Sequence, residues 1–400
     1  MVIGLLAGIA GAATTLVLHA VEHLTFHYSF GTLLEGVSHS SPVRRAVGPM
    51  IGGALAGLGW WLLRRRTRVP SLNDAINSPG PMQRLALSVD AGLQVLLVGA
   101  GASLGREGAP RQIAAALGDL GTSRWTLTPE DRPILLGCAA GAGLAAVYSV
   151  PMGGALFAIQ IVLRAWSLRI VGTAFITSSI AVAVAAPITH LEVPLRWPDP
   201  ELSYLLTGFA ILLSPVALAV GRGFNRLMDV ARARRLGDSW LLIPAVAGAG
   251  LLIGVLSHWW PELPGNGKSV LTVSLDDGLT LVSAVVILLL KPLLTALFLR
   301  TGAVCGMLTP ALATGAAMGS VVAIAINTWT PLTVNVPAVA LACAAGVLAI
   351  TQGAPVWAAL FVWELARPPW WLLIVFAVAA IAAHQLDSRI RRQVEPEPSH

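Results

Sequence analysis

GASLGREGAPRQIAAALG, Gly101–Gly118, sets Arg106 and Glu107 into a glycine-rich break between two apolar runs, Leu93–Ala102 and Ile113–Leu117. Charge inside a membrane-type sequence is costly and generally lines a pathway or a packed interior. Gly105, Gly108 and Ala109 leave their backbone amides uncrowded, and Pro110 suits the first turn of a helix. A helix that starts there aims unpaired N–H groups and a positive dipole end at whatever precedes it, which makes the break a candidate anion site. Glu107 is itself an anion at the mouth of that site. A carboxylate that occupies an anion position when charged and vacates it when protonated is a gate. The same residues also suit an ordinary exposed turn between two membrane helices, so the rest of the chain has to separate the two readings.

Composition fixes the class. Of 400 residues, 56% are hydrophobic and 12% charged, and the mean hydropathy is +0.75. Soluble domains carry roughly 25% charge, so this is an all-α polytopic membrane protein of the cell membrane. A β-barrel is excluded because the apolar runs are continuous and do not alternate. The net charge of +6 gathers in short basic clusters: Arg64, Arg65, Arg66 and Arg68; Arg232, Arg234 and Arg235; Arg389, Arg391 and Arg392. That pattern orients a membrane protein and does not indicate nucleic-acid binding. Cys138, Cys305 and Cys343 lie in Gly/Ala-rich runs, without metal spacing or a disulfide framework. Neither a metal nor a cofactor is expected. The first apolar run lacks a basic leader and a cleavage site and reads as a retained helix.

Along the chain, spans are predicted at Met1–Val21, Pro49–Leu63, Leu85–Leu104, Leu135–Leu163 with a break at Ser149-Val150-Pro151, and Ile170–Pro187. Thr189–Pro200 is a proline-rich connection. The second half offers Tyr204–Val220, a basic linker at Arg222–Arg235, Trp240–Leu256, Gly278–Leu299, Gly302–Ile326, Ala338–Leu365 with a break at Gly353–Pro355, and Trp370–Ala383. Trp60 and Trp61, beside arginines, read as an interfacial belt. Asp90 reads as lying near the interface, and Lys291 and Arg300 as snorkelling cations. Several runs are shorter than the roughly 20 residues a spanning helix needs. Short, Gly/Pro-broken segments at matching places in two halves point to a binding site near the bilayer midplane.

The halves do match. GASLGREGAPRQIAAALG from Gly101 aligns with GAVCGMLTPALATGAAMG from Gly302, and Gly101/Gly302, Gly105/Gly306 and Gly118/Gly319 share one offset of 201. A second pair starts at Cys138 and Cys343, where Pro151/Pro355, Phe157/Phe361 and Gln160/Glu364 share an offset of 204. Two matches in the same order exceed what shared Gly/Ala composition produces. The expected architecture is two inverted repeats of tilted and broken helices enclosing a midplane anion pathway. Residues 1–383 form one transmembrane transport domain, with repeats over about 46–187 and 204–383, and 384–400 is a short charged tail.

From about Gly48 to Ala383 the chain resembles the chloride channel and chloride/proton antiporter (CLC) family. GREG at Gly105–Gly108 resembles the family's G-K/R-E-G-P motif, and GMLTP at Gly306–Pro310 its G-x-F-x-P motif. The resemblance implies that Glu107 is the gating glutamate. It implies that the backbone amides of Arg106, Glu107, Gly108, Met307 and Leu308 line the anion path. It further implies a parallel homodimer with one pore per subunit, in contact with membrane lipid. The family's G-S-G-I-P is replaced by Arg66-Thr67-Arg68-Val69-Pro70, so Thr67 stands where an anion-contacting serine is implied. The proline after GREG is displaced by one place, to Pro110. The implied pore tyrosine near the C-terminus has no counterpart, the only tyrosines being Tyr28, Tyr148 and Tyr204. The antiporters' inner proton-transfer glutamate falls at Gln160 or Ile161, neither of which carries a proton in this range, and Glu364 stands at the equivalent place in the second half. The regulatory nucleotide-binding tail of some members is not expected here.

The expected function is transmembrane transport of chloride or another small monovalent anion, conducted passively and gated by Glu107. Chloride/proton antiport by an unusual route through Asp90 or Glu364 is the alternative, and fluoride selectivity another. An intramembrane enzyme lacks a nucleophile–base pair, since neither Ser103 near Glu107 nor His190 near Pro187 makes one. A non-transporting scaffold would need no midplane cavity.

Overall fold

Long apolar runs that must close their backbone hydrogen bonds inside each segment have one common solution in a membrane, the α-helix. The computed structural model describes residues 1–78, 80–123, 125–189, 197, 204–276 and 278–394. In chain order the helices are α1 (Val2–Phe26), α2 (Leu33–His39), α3 (Pro42–Arg66), α4 (Leu72–Asn77), α5 (Arg84–Gly99), α6 (Gly108–Gly121), α7 (Asp131–Tyr148), α8 (Pro151–Phe157) and α9 (Leu168–Thr189). They continue as α10 (Tyr204–Leu212), α11 (Ser214–Ala233), α12 (Leu242–Leu256), α13 (Lys268–Leu275), α14 (Leu281–Arg300), α15 (Leu308–Trp329), α16 (Val336–Gln352), α17 (Pro355–Ala366) and α18 (Leu372–Val394). A π-helical stretch, Ala158–Leu163, prolongs α8. No strand occurs among the described residues, where the sole bridge pairs Gly105 with Gly306. Among the described residues six helices, α1, α3, α9, α14, α15 and α18, are long and apolar enough to cross a membrane, and α10–α11, bent by 43°, is a seventh if the pair is one span.

Local signals set many helix ends. Thr32 and Glu35 form a reciprocal capping box at the start of α2. Asn335 caps α16, its Oδ1 accepting from the Ala338 N–H at 2.9 Å. Proline opens α3, α8, α16 and α17, where its missing N–H costs nothing.

The chain packs as two units, one of Met1–Pro194, Ala231–Ser269 and Leu294–Thr309, the other of Leu195–Val230, Val270–Leu293 and Pro310–His400. In the first, α3 and α12 touch through their backbones. A Cβ on Gly53 would stand 2.5 Å from the Val246 carbonyl oxygen, and one on Gly57 2.8 Å from that of Leu242. In lipid, where apolar side chains gain little by leaving their surroundings, such small-residue contact is what draws helices together. The helices that carry the central break are tied at one end by Asp119. This residue of α6 is 5% exposed and accepts from Arg84 Nε at 2.8 Å, Arg132 Nη2 at 2.7 Å and the Met82 N–H at 3.2 Å. The starts of α5 and α7 are thereby fastened to the end of α6. In the second unit α16 is buried nearly all round, and Gly315 and Gly319 let α15 lie against Ala344 and Ala340.

The repeat is visible hydrogen bond by hydrogen bond. α5 ends with Gly101 N–H to Val98 O and Ala102 N–H to Leu97 O; α14 ends with Gly302 N–H to Leu299 O and Ala303 N–H to Phe298 O. Gly101 and Gly302 both take positive φ, 105° and 93°, a left-handed closure that glycine enters without strain. α7 stops at left-handed Ser149 and α16 at left-handed Gly353, each followed two residues later by the proline that opens the next helix.

Several expectations change. α3 begins at Pro42, not Pro49, and Trp60 is buried at 0% exposure rather than interfacial. The basic stretch at 222–235 is not a linker, because α11 runs through it to Ala233. Lys291 does not snorkel: it is 0% exposed. Asp90, expected near the interface, is 2% exposed. The last helix continues past Ala383 to Val394. His190 and most of the Thr189–Pro200 connection lie outside the described residues.

Two stability predictions follow from this packing. Gly53→Ala drives a methyl into the α12 backbone and costs about 1–3 kcal/mol, whereas Gly248→Ala on α12, with nothing within 4 Å, leaves the melting temperature in detergent unchanged. Asp119→Ala strips two half-buried guanidinium groups of their acceptor and lowers stability by about 2 kcal/mol, read by thermal unfolding of the purified protein.

Candidate functional site

After the glycine turn at 101 the chain runs through an irregular, bent stretch to Glu107, and after that at 302 it runs through a second irregular stretch to Met307. The two stretches lie side by side in the first unit. Gly105 N–H donates to Gly306 O at 2.8 Å, and Thr295 Oγ1 donates to Ser103 O at 2.8 Å. The absence of a side chain at both bridge positions leaves room for the Glu107 carboxylate, which a Cβ on Gly105 or on Gly306 would displace. Each stretch then becomes a helix, α6 at Gly108 and α15 at Leu308, so two helix starts stand beside the Gly105–Gly306 bridge.

Glu107 fills that place. Its side chain is 1% exposed, and Oε1 accepts from the Leu308 N–H at 2.6 Å. Oε2 accepts from Thr309 Oγ1 at 3.3 Å and from the Tyr148 hydroxyl at 3.4 Å. A carboxylate thus sits on the N-terminus of α15, where amide hydrogens and helix dipole favour negative charge. Tyr148 is the last residue of α7, brought there because Ser149 turns left-handed at φ 55°. The Arg106 guanidinium lies over the Tyr148 ring at 5.1 Å and donates to Val147 O at 3.4 Å. Arg111, one turn into α6, places its guanidinium 5.1 Å from the Phe157 ring. The donors in contact with the carboxylate are one amide and two hydroxyls. Such a set suits a monovalent anion and holds it without a directly bound cation.

The sequence-derived candidates divide. Arg106, Glu107, Gly108, Met307 and Leu308 come together around the Gly105–Gly306 bridge. Met307 Sδ has Arg232 Nη2 at 2.8 Å, from the end of α11. Thr67 is not brought to Glu107: it caps α3, and its hydroxyl donates to Gln83 Oε1 at 3.3 Å. Gln160 lies on the π-helical stretch, half-buried, its Oε1 without a donor among the described residues. Glu364 is buried in α17, in the second unit. No group of His, Cys, Asp or Glu that could hold a metal occurs among the described residues.

Sequence reasoning missed Tyr148 and Thr309. Thr309 stood inside the matched GMLTP motif, and Tyr148 directly before the Ser149–Pro151 break, so position alone marked both. It also missed the partners of Asp90, which are Trp60, Gln94 and Gln112. The signal there was a set of polar side chains within otherwise apolar helices.

Residues 52–387 match the family described as "Voltage gated chloride channel". "Voltage-gated ClC-type chloride channel ClcB" from Escherichia coli SMS-3-5 is 28% identical over 403 residues, covering 98% of this chain and 95% of that one. The structure of a slow cyanobacterial Cl⁻/H⁺ antiporter superposes with a TM-score of 0.81 at 19% identity, covering 99% of this chain and 94% of the other. A CLC-type fluoride/proton antiporter gives 0.72 at 19% identity, over 97% and 95%. At that identity the two structures speak to fold alone. The chain is thus an integral, multi-pass membrane protein that belongs to the voltage-gated chloride channel (CLC) family.

Proposed function

We propose that the protein conducts chloride passively and that Glu107 is its protonatable gate, within a transport domain of residues 1–383 that works as a homodimer. The observation that carries this reading is the Glu107 carboxylate seated on the Leu308 amide with two hydroxyls around it. A chloride ion asks for the same donors, so the charged side chain and the ion compete for one position. Protonation removes the charge that holds the carboxylate on α15, the side chain withdraws, and chloride takes the vacated donors. Amide and hydroxyl dipoles replace part of the ion's hydration yet let it leave, which conduction requires.

Antiport is the second reading. It is favoured by Asp90, a buried acid on α5. A chloride gradient drives proton uptake into liposomes under antiport and does not under conduction. Parallel chloride and fluoride efflux traces assign the anion.

Glu107→Gln abolishes the pH dependence of protein-mediated chloride efflux from liposomes; a profile that keeps its wild-type shape removes Glu107 from the gate. In that same background Tyr148→Phe deletes one anion donor, and the chloride concentration for half-maximal efflux rises about fivefold, as the loss of one hydrogen bond of ~1 kcal/mol implies.

A further inference from the structure

Asp90 is 2% exposed, and three donors meet it. Its Oδ1 accepts from Trp60 Nε1 at 2.8 Å, and its Oδ2 accepts from Gln94 Nε2 at 2.8 Å and Gln112 Nε2 at 3.2 Å. Gln94 Nε2 also donates to Gln112 Oε1, at 3.0 Å. Both hydrogens of the Gln94 amide nitrogen are therefore directed at oxygens. Turning this amide over would set its oxygen against Asp90 Oδ2 and Gln112 Oε1, so its orientation is fixed by the network. The consequence is that Gln94 Oε1 is left over. Gln94 is 2% exposed, and this oxygen has no donor among the described residues. It lies against the Cα of Gly108, where a Cβ would run into it, and that Cβ would stand 3.4 Å from the Gly306 nitrogen. The unmatched acceptor thus faces the place where the 101–107 and 302–307 stretches meet, beside the residue that follows Glu107.

A buried acceptor without a donor is destabilising by about 1–3 kcal/mol. A carboxylate has no hydrogen to offer it, but a carboxylic acid has one. We propose that Gln94 Oε1 is the acceptor that receives the protonated Glu107 side chain once it has left the Leu308 amide, and that Asp90 and Gln112 are positioning residues that keep this oxygen turned toward Gly108. The inference rests on the reading of Glu107 as a gate and adds to it a built receptor for the open position. The titratable and charged groups that face Glu107 are Arg111 on α6, Arg106 beside it, Tyr148 at the end of α7 and Cys305 from the 302–307 stretch, with Asp90 contributed by α5. Of these, Asp90 is bound to the amide that orients the acceptor. No covalent step is involved: the proton arrives with Glu107, and only its hydrogen-bond partner changes.

The test is chloride efflux from liposomes across a pH series with Gln94→Met, which keeps the volume and deletes the acceptor. Opening then needs about tenfold more protons, a fall of about one unit in the pH midpoint. In the Glu107→Gln background, whose amide is a permanent donor, Gln94→Met lowers flux several-fold at every pH. Asp90→Asn, which lets the Gln94 amide turn over, shifts the midpoint the same way by less. Should Gln94→Met not elute as a monodisperse protein, Gln94→Asn, which retracts the oxygen from Gly108, gives the same readout. If Glu107→Gln flattens the pH profile while the Gln94 variants leave both the midpoint and the Glu107→Gln flux unmoved, Gln94 only braces α5 against α6 and the proposal is overturned. If Glu107→Gln leaves the profile intact, the gate itself is wrong and the receptor falls with it.

Discussion

One hydrogen bond, from the Leu308 amide to the Glu107 carboxylate, organises the first unit. For it to form, two helices must begin at one place with their first amides unspent, and a side chain must reach from one start to the other. The glycines at 105 and 306 leave room for the carboxylate, and the bridge between them fixes the spacing. The positive-φ turns at Gly101 and Gly302 release the chain from α5 and α14 before the bridge between Gly105 and Gly306. Any side chain at 105 or 306 would fill the space the anion position occupies.

Away from the crossing, packing holds this geometry still. Small residues let α3 and α12 meet backbone to backbone, and the Asp119 clamp fastens α5, α6 and α7 at their far ends. Polar side chains that would be costly in an apolar interior are instead paired into networks. Asp90 with Trp60, Gln94 and Gln112 is one, and Asp387 with Arg222 and Arg391 in the second unit is another. Buried groups of this kind add specificity more than they add stability.

The all-helical membrane fold and the pairing of Gly101–Gly118 with Gly302–Gly319 were legible in the sequence, because backbone conformation and helix starts are written in local residue types. Glu107 was legible for the same reason, as the lone acid in a glycine-rich break. What was not legible depends on which face of a helix meets another. Trp60, Asp90 and Lys291 each read as interfacial from their neighbours in sequence, and each is buried because another part of the fold covers it. Thr67 matched a motif position, yet the cap of α3 turns its hydroxyl to Gln83. Tyr148 was set aside because a tyrosine was sought near the C-terminus, while the hydroxyl at Glu107 comes from α7, in the first half of the chain.

The Glu107 carboxylate and the Leu308 amide it accepts from lie 201 residues apart along the chain. During synthesis α6 leaves the ribosome well before α15, so Glu107 waits in the nascent protein without the Leu308 donor. An unpaired carboxylate is expensive in a hydrocarbon setting, and this one lacks that partner until the second half has been inserted. The contact between the two stretches therefore forms late, when Leu308 arrives. A ribosome stalled before that point holds a chain whose most polar break is still open to solvent, lipid and chaperones alike.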